Sequence, residues 1–511
     1  MRTIKYIGLV KSIGFAALCL CGFGRVQAQT DADLLRYSML NPIGTARYNA
    51  MGGAFGALGA NFTALSTNPA GIGFYTRHEL SLTGGWLNQN GKSEYYGEKN
   101  TIDASQVVMP QGGGVFCINQ GGAVKFQAAF GANRLKDFNS SSYAKGINNE
   151  SSYMEYVAAQ SAGYDFAVRD QYAAHLGNLA YQTGLMDYED TVSMLYDPLL
   201  GPGMGLTQRH VLREYGNITE MVFSFGGNWR DMLYFGATMG VPVVDYQQES
   251  IVGESSDATL EFHNEVFPPK NIRFNAYEFN QDLNVTGTGI NLKLGLIYKP
   301  VHFFRVGLAF HTPTHYWLRE RATVQVNTDM SYPLGDGSFL TNQSSYGYED
   351  RYEVITPAKG VLSLGFLIKN FGAIGIEGEL TDYRKMRLDV GDIDYENQIQ
   401  SVLDENYKLA GVVRVGTEWR FSILSIRAGY IWQSCPYTNQ TLRDNWYNHT
   451  ATAGLGLTLG RWNLDFGFMA DLGKRTDDFY YLTDQYGASL VNPASLKLAK
   501  YVYTFTLGVR F

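Results

Sequence analysis

The closing stretch YVYTFTLGVRF restricts this chain more than any other part of it. Tyr501, Tyr503, Phe505, Leu507, Val509 and Phe511 share one face, and Val502, Thr504, Thr506, Gly508 and Arg510 share the other. Side chains that alternate with period two define a strand, because successive residues of a strand point to opposite sides. The same dyad recurs along the chain. EMVFSFGGNW sets Met221, Phe223 and Phe225 against Ser224 and Gly226, and YFGATMGV puts Phe235, Ala237, Met239 and Val241 on one face. NLKLGLIY opposes Leu292, Leu294, Leu296 and Tyr298 to Asn291, Lys293 and Gly295. RWNLDFGFMAD opposes Trp462, Leu464, Phe466 and Phe468 to Asn463, Asp465 and Gly467.

Laid end to end, these patterns predict an all-β chain of fourteen strands: 78–88, 104–118, 121–134, 217–230, 232–248, 282–299, 302–325, 349–369, 372–384, 407–420, 423–434, 449–460, 462–475 and 498–511. Strands two and three, four and five, six and seven, eight and nine, ten and eleven, and twelve and thirteen meet in turns of a few residues, and the other junctions are long. Alternating short and long connections are what an antiparallel transmembrane barrel has, with tight turns on one rim and long loops on the other. An aromatic content of 14% and 57 glycines favour that barrel over a soluble sandwich. The faces assigned to the lumen carry Lys293, Arg305, Glu377, Glu379, Arg414, Glu418, Arg427, Asp465 and Arg510. Charges cost several kilocalories on a lipid face and are tolerated in a lumen when paired or hydrated. Their mixed signs predict cross-lumen ion networks.

The first 28 residues read as a secretory signal: Arg2, Lys5 and Lys11, an apolar run from Ile13 to Phe23, then Val26-Gln27-Ala28 as cleavage site. The run is too short to span a bilayer as a helix. Cys19 and Cys21 follow Leu18 and Leu20, where a lipoprotein signal needs a small residue, so mature protein is expected to begin at Gln29. Removing this segment shifts the formal charge from −7 to −11, which disfavours nucleic-acid binding. Cys117 and Cys435 then remain, too few for a disulfide framework or a cysteine metal site. They are read as two buried thiols, with a disulfide as the alternative.

Fourteen strands enclose a lumen too wide for wall side chains to fill. Residues 29–76 precede the barrel, 77–511, and have no spanning pattern, so they are expected inside it as a plug. Within them, GALGANFTALSTNPAG carries no lysine, histidine or acid. A phosphate loop needs a lysine after its last glycine and a strand before its first, and neither is present. Gly52, Gly53, Gly56 and Gly59 are instead read as packing glycines that let backbone approach backbone. Asn61 is expected to cap a short helix through Phe62 to Ser66, Pro69 to stop it, and Gly71 and Gly73 to permit the turn into the first strand.

GTARYNAMGGAFGALGANFTALSTNPAGIGFY resembles the N-terminal hatch of the long-chain fatty acid transporter (FadL) family, in particular its Bacteroidetes branch. Asn68, Pro69 and Ala70, here followed by Gly71, match that family's hatch motif, and GTGINLKLGLIYKP, RVGLAFHTPTHYWL and RVGTEWR with IRAGY add to the likeness. The resemblance implies passive uptake of hydrophobic molecules: capture between outer loops, a lumen site beside the hatch, and escape through a wall gap at a kinked third strand. Gly131 is the residue expected at that kink, since a strand glycine often marks a bend.

The long outer segments are expected at 135–216 and 249–281. Ser152 and Glu155 have capping-box spacing, and Tyr172, Leu176, Leu179 and Leu185 lie near one helical face. Leu195, Leu199 and Leu200 in the first segment and Phe267 and Phe274 in the second are candidates for a ligand groove. Packing of these side chains on each other is the equal alternative. His311 and His315 in FHTPTH invite a haem reading, but one inward histidine is more often a hydrogen-bonded lumen residue.

An outer-membrane enzyme would need a nucleophile or activated water with a base and an orienting group on one rim, and the eight histidines form no such set. The leading expectation is therefore an outer-membrane channel for hydrophobic small molecules, with a haem-binding or adhesion barrel as the competitor. No catalytic residue, metal ligand or cofactor is expected. The expected partners are hydrophobic cargo, outer-membrane lipid, and the barrel assembly machinery engaging the strand that ends at Phe511. A monomer is the expected state.

Overall fold

The computed structural model describes residues 31–511 except 120, 167–175, 191, 265–269, 334–338, 370, 439–445, 478, 481 and 483–490. The signal segment and Phe267 lie outside the described residues. No helix among those described is long and apolar enough to cross a membrane.

The strands run in order β1 (Glu79–Tyr95), β2 (Glu98–Asn119), β3 (Val124–Asp137), β4 (Ser140–Asn148), β5 (Met186–Asp190), β6 (Leu195–Pro198), β7 (Leu206–Trp229), β8 (Leu233–Asn264), β9 (Lys270–Val301), β10 (Phe304–His311), β11 (His315–Pro333), β12 (Phe339–Ile355), β13 (Lys359–Ile368), β14 (Gly372–Asp382), β15 (Arg387–Asp389), β16 (Leu409–Phe421), β17 (Leu424–Gln433), β18 (Tyr447–Leu459), β19 (Trp462–Asp477) and β20 (Ala494–Arg510). β5 and β6 form a separate outer hairpin. Pairs of consecutive strands such as β10 and β11, or β12 and β13, run in line and share neighbours, so the ring has fourteen staves. The ring closes where β20 pairs with both β19 and β1. The fold is the expected fourteen-stranded antiparallel barrel, and every predicted strand falls on a stave.

Outward alternation is as the dyads require. On β9, Ile290, Leu292, Leu294, Leu296 and Tyr298 are all more than 40% exposed, whereas Lys293 between them is buried. At about 3.3 Å per residue this apolar stretch runs roughly 30 Å along a tilted strand, matching an outer-membrane apolar band about 25 Å tall. The outward positions then turn polar at Thr288, Thr286, Asn284 and Asp282, yet the strand continues to Lys270.

This continuation departs from expectation. Segment 249–281 is predominantly a strand hairpin, with β8 reaching Asn264 and β9 starting at Lys270. Its faces alternate with the same period above the membrane, and ion pairs Arg209–Glu278, Arg213–Glu249 and Arg319–Glu349 stud the projecting sheet. In segment 135–216, β4 continues the third stave and two helices follow, Tyr153–Ser161 and Leu176–Thr183. The first has the expected capping box: Ser152 accepts from Met154 N, and Glu155 accepts from Ser152 N at 2.8 Å. Burial pushes the Glu155 carboxyl above its ordinary value, against the pull of its Ser152 bond.

Candidate lumen site and wall gap

Residues 31–75 are bonded to inward-facing side chains from staves around the ring. Ala46 N donates to Thr506 Oγ1 at 2.7 Å, Gly56 N to Glu377 Oε2 at 2.9 Å, and Arg47 binds Glu418 with two nitrogens at 2.7 and 3.0 Å. From other staves, Asn133 reaches Ser66, Asn228 reaches the Gly73 carbonyl, Thr238 the Leu65 carbonyl, and Thr452 the Ala50 carbonyl.

Glycines make this contact close from both sides. A Cβ at Gly71 would lie 3.2 Å from Gly59 Cα, so the two backbones touch as the sequence suggested. Gly52, Gly53 and Gly59 also have positive φ, where a side chain is strained. The inward wall glycines were not anticipated. A Cβ at Gly307 would meet the Gly56 carbonyl at 2.6 Å, and Gly375, Gly416 and Gly429 take the backbone at 51–54 in the same way. Glycine on the inward phase of a dyad was the legible signal for them.

Asn68 joins the two halves of the segment. Its Nδ2 donates to the Gly56 carbonyl at 2.7 Å, and its Oδ1 accepts from Ala70 N at 3.1 Å. Asn61 Oδ1 accepts from Thr63 N at 3.0 Å, but the 3-10 turn Thr63–Ser66 begins one residue later than expected, with Phe62 and not Asn61 at its N-cap. Pro69 was expected to stop that turn; it is the first residue of a second one, Pro69–Phe74, where its fixed φ suits the start and its missing N–H costs nothing. Gly71 and Gly73 lie inside that second turn, not at the entry to β1. They are small because Gly59 and the Gly227 carbonyl press on them.

The lumen charges form the mixed networks the sequence pointed to. Arg47, Arg427 and Arg420 converge on Glu418, and Arg427 continues to Asp465. Arg414 bridges Glu377 and Glu379, each at 3.0 Å, and Lys359 pairs with Glu379. Lys293 pairs with Glu220, a partner not singled out beforehand. Arg510 is the exception to the inward set: it pairs with Glu79 at the rim and stays 43% exposed. Arg305 finds no carboxylate among the described residues; it donates to the Leu58 carbonyl at 2.5 Å and lies over the Phe74 ring.

On the outer side of the segment lies a cavity of about 240 Å³. Met39, Pro42, Ile43, Ile431, Met469 and Val502 give it apolar surface, while Lys136, Asp137, Arg414, Asp471 and Lys500 give it charge. Lys500 pairs with Asp137 at 2.9 Å, whereas Lys136 donates to the Arg36 carbonyl and lies over the Phe138 ring. A smaller cavity shares Pro42 and Arg414 with it and includes His311. The His311 ring bonds the Thr67 carbonyl at 2.7 Å, and His315 pairs with Glu353 and stacks on Trp317. The two histidines therefore face different neighbours.

Beside this cavity the wall is incomplete. The β2–β3 ladder runs from Asn119↔Phe126 to Gln111↔Asn133 and stops. Beyond it, among the described residues, β2 pairs with β1, β4 with β7, and β3 with β7 and, at Arg134, with Ile43 of the N-terminal segment, whose N–H donates to the Arg134 carbonyl at 2.9 Å. Pro110 follows at the break and has no N–H to offer a neighbour. Outward-facing Val107 and Met109 are 81% and 68% exposed, more than other wall residues of the apolar band. β4 leans over β1 and β2 through side-chain bonds, as from Gln89 Nε2 to the Ser141 carbonyl at 2.8 Å. Ile43, Leu87, Val108, Met469 and Val502 cluster at this point.

The break is not at Gly131, which keeps register with Gly113 and Val222 on both sides. The third stave bulges between Arg134 and Lys136 and is interrupted between Asp137 and Ser140. A Cβ at Gly131 would meet the Gly112 carbonyl at 2.4 Å, Gly113 Cα at 2.5 Å and the Phe62 ring at 2.6 Å.

Leu200 and Phe274 are fully buried in an outer cluster with Tyr153, Leu179, Phe279 and Phe479, and Leu199 packs on it. Leu195 is half-buried and does not join them. This arrangement is the self-packed alternative. Beneath the helix cap, Glu254 accepts from Ser152 Oγ, Tyr153 N and Gln208 Nε2 at 2.6–2.7 Å. Cys117 and Cys435 are half-buried and form no disulfide.

These features define a closed fourteen-stave antiparallel barrel whose inward-facing side chains bond residues 31–75, with the ladder between β2 and β3 interrupted. Among solved structures, a Pseudomonas aeruginosa FadL homologue aligns over 93% of this chain and 100% of its own, with TM-score 0.52 and 13% identity. A ΔS2S3 mutant of the monoaromatic hydrocarbon channel TodX aligns over 92% and 99%, with TM-score 0.50 and 13% identity. At this identity the likeness establishes a shared fold, that of the FadL-type barrels. No protein-family model and no curated relative matches the sequence.

Proposed function

We propose that the chain is an outer-membrane channel for passive uptake of hydrophobic small molecules, without catalytic activity. The observation that carries the proposal is the seam: a ladder that ends at Gln111↔Asn133 beside a partly apolar lumen cavity. A closed barrel satisfies its backbone polar groups all round, so an unpaired strand length at membrane depth is costly and calls for a function. In this reading residues 31–75 act as the hatch that keeps the lumen from being a water pore. Cargo reaches the cavity from the outer cluster and leaves between β2 and β3, past Val108, into the lipid. The solved neighbours support the cargo class, since one is named a monoaromatic hydrocarbon channel.

The cavity favours a compact molecule. At about 240 Å³ it is below the usual 300–1,000 Å³ of ligand pockets, so it suits a small hydrophobe or one section of a longer chain. The test is uptake of labelled toluene and labelled dodecanoate by cells lacking the protein, complemented with wild type or Val108→Trp. Wild type is expected to restore uptake of at least one probe and Val108→Trp to impair it, while both barrels remain heat-modifiable on gels. Equal uptake with and without the protein would sink the channel reading; full activity of Val108→Trp would sink the lateral route alone.

A further inference from the structure

The outward face of the barrel carries a groove of about 500 Å³ that belongs neither to the lumen nor to the seam. β9, β11, β12 and β15 form it, and Thr286, Thr288, Trp317, Arg319, Arg351 and Asp389 are among the residues that line it. Alternation sets these side chains outside: Leu318 and Tyr352 are buried inward, whereas Trp317, Arg319 and Arg351 are exposed. Register sets the height. The apolar outward run of β9 ends at Ile290, and Thr288 and Thr286 follow it; Thr288 pairs with Trp317 and Thr286 with Arg319. An indole therefore marks the edge of the apolar band, as aromatic girdles do, and Arg319 stands one outward position above it, about 7 Å along the strand.

The charges in the groove are set like against like. Arg319 on β11 stands directly opposite Arg351 on β12, and Glu353, the next outward residue of β12, stands opposite Asp389 on β15. Like charges in directly opposed positions destabilise a sheet, and exchanging Arg351 with Glu353 would have relieved both pairs. Neighbours neutralise only part of the set. Glu349 accepts from Arg319 Nε and Arg321 Nε, each at 2.7 Å, and His315 holds Glu353 at 2.5 Å. Arg351 makes no ion pair among the described residues. A surface that keeps two guanidiniums opposed suits a partner that brings its own negative charge between them. Phosphate fits, because its oxygens match the forked donors of both arginines.

We propose that this groove docks a phosphate-bearing glycolipid of the outer leaflet. The phosphate lies between Arg319 and Arg351, and the acyl chains run down the apolar wall below Trp317, past Ile290. Height and charge agree on this occupant, since the arginines stand just above the apolar band, where anionic lipid heads meet basic side chains. A lipid held there fixes the depth at which the projecting sheet leaves the membrane. The proposal rests on the outer-membrane placement given above, and on neither the cargo nor the lateral route.

The experiment titrates full-length protein in detergent with bisphosphorylated lipid A or with its dephosphorylated counterpart, and native mass spectrometry reads the bound lipid. Wild type is expected to hold the phosphorylated lipid about tenfold more tightly, as for one charge-assisted contact. Arg351→Glu is the decisive variant. It sets a carboxylate opposite Arg319, so the barrel should stay as heat-resistant as wild type while affinity for the phosphorylated lipid falls about tenfold. Arg273→Gln, which removes a charge paired with Glu261 near the far end of the same sheet, should bind as wild type does. Equal binding of the two lipids, or of the phosphorylated lipid by wild type and Arg351→Glu, would overturn the site. Displacement of the lipid by inorganic phosphate at the lipid's own concentration would overturn it too, in favour of a free anion. Cells carrying Arg351→Glu are expected to take up toluene and dodecanoate as wild type does, so these failures leave the channel reading standing. Recovery of the protein from cells without detergent would sink both.

Discussion

Gly56→Ala is the smallest change that tests how residues 31–75 are held. The added methyl would overlap Ser363 Oγ and Glu377 Oε2 and come within 3.0 Å of Ser363 Cβ. Glu377 has no room to yield, because its side chain is fully buried and its other oxygen is bonded to Arg414 at 3.0 Å. Overpacking of this kind costs about 1–3 kcal/mol, and loss of the Gly56 N–H bond to a carboxylate adds about 1.5–3 kcal/mol. The sum, about 2.5–6 kcal/mol, falls on the contact between segment and wall. The wall's own ladder, β13 to β14 to β16, does not include Gly56. The variant should therefore remain a heat-modifiable barrel, while liposome swelling and planar-bilayer conductance report a new leak of small polar solutes. Gly378→Ala is the control, since a Cβ there meets nothing within 4 Å. A Gly56→Ala protein as tight and as resistant to guanidinium as Gly378→Ala would refute the packing argument.

Three further substitutions probe other parts of the molecule. Asn68→Ala removes the bond to the Gly56 carbonyl and the cap on Ala70 N, and about 1–3 kcal/mol of lost stability is expected for each buried group left unpaired; a guanidinium midpoint unchanged from wild type would contradict this. Glu418→Gln leaves Arg47 and Arg427 facing a neutral amide where the carboxylate is 2% exposed, and breaking a buried pair costs about 3–5 kcal/mol. Its leak should match or exceed that of Gly56→Ala in the same swelling assay. Phe274→Ala should cost the outer cluster about 3–5 kcal/mol and speed proteolysis of the helix Leu176–Thr183, with lumen conductance unaltered. Slow proteolysis equal to wild type would mean the cluster does not hold that helix down.

Strand periodicity, the count of staves and the direction of most side chains were legible because they are local: period two needs only neighbours along the chain. The run of small residues around Gly52, Gly53, Gly56 and Gly59 suggested close backbone contact, but what each glycine meets was not legible: Gly52 lies against the Tyr430 backbone, whereas Gly53 meets Tyr48 and Gly56 meets Ser363 and Glu377 through their side chains. The projecting hairpin of β8 and β9 was not legible either, because beyond the lipid both faces mix polar and apolar residues, and Thr, Asn and Asp read as loop when no membrane is in view. Ion-pair partners such as Glu220 for Lys293 depend on which strands meet, and at what register. The seam is the clearest case. Gly131 carries the local mark of a bend, yet it pairs on both sides, and the ladder fails above it at Gln111↔Asn133. Where a ladder ends is set by two strands diverging to follow other neighbours, a choice made only when the ring closes.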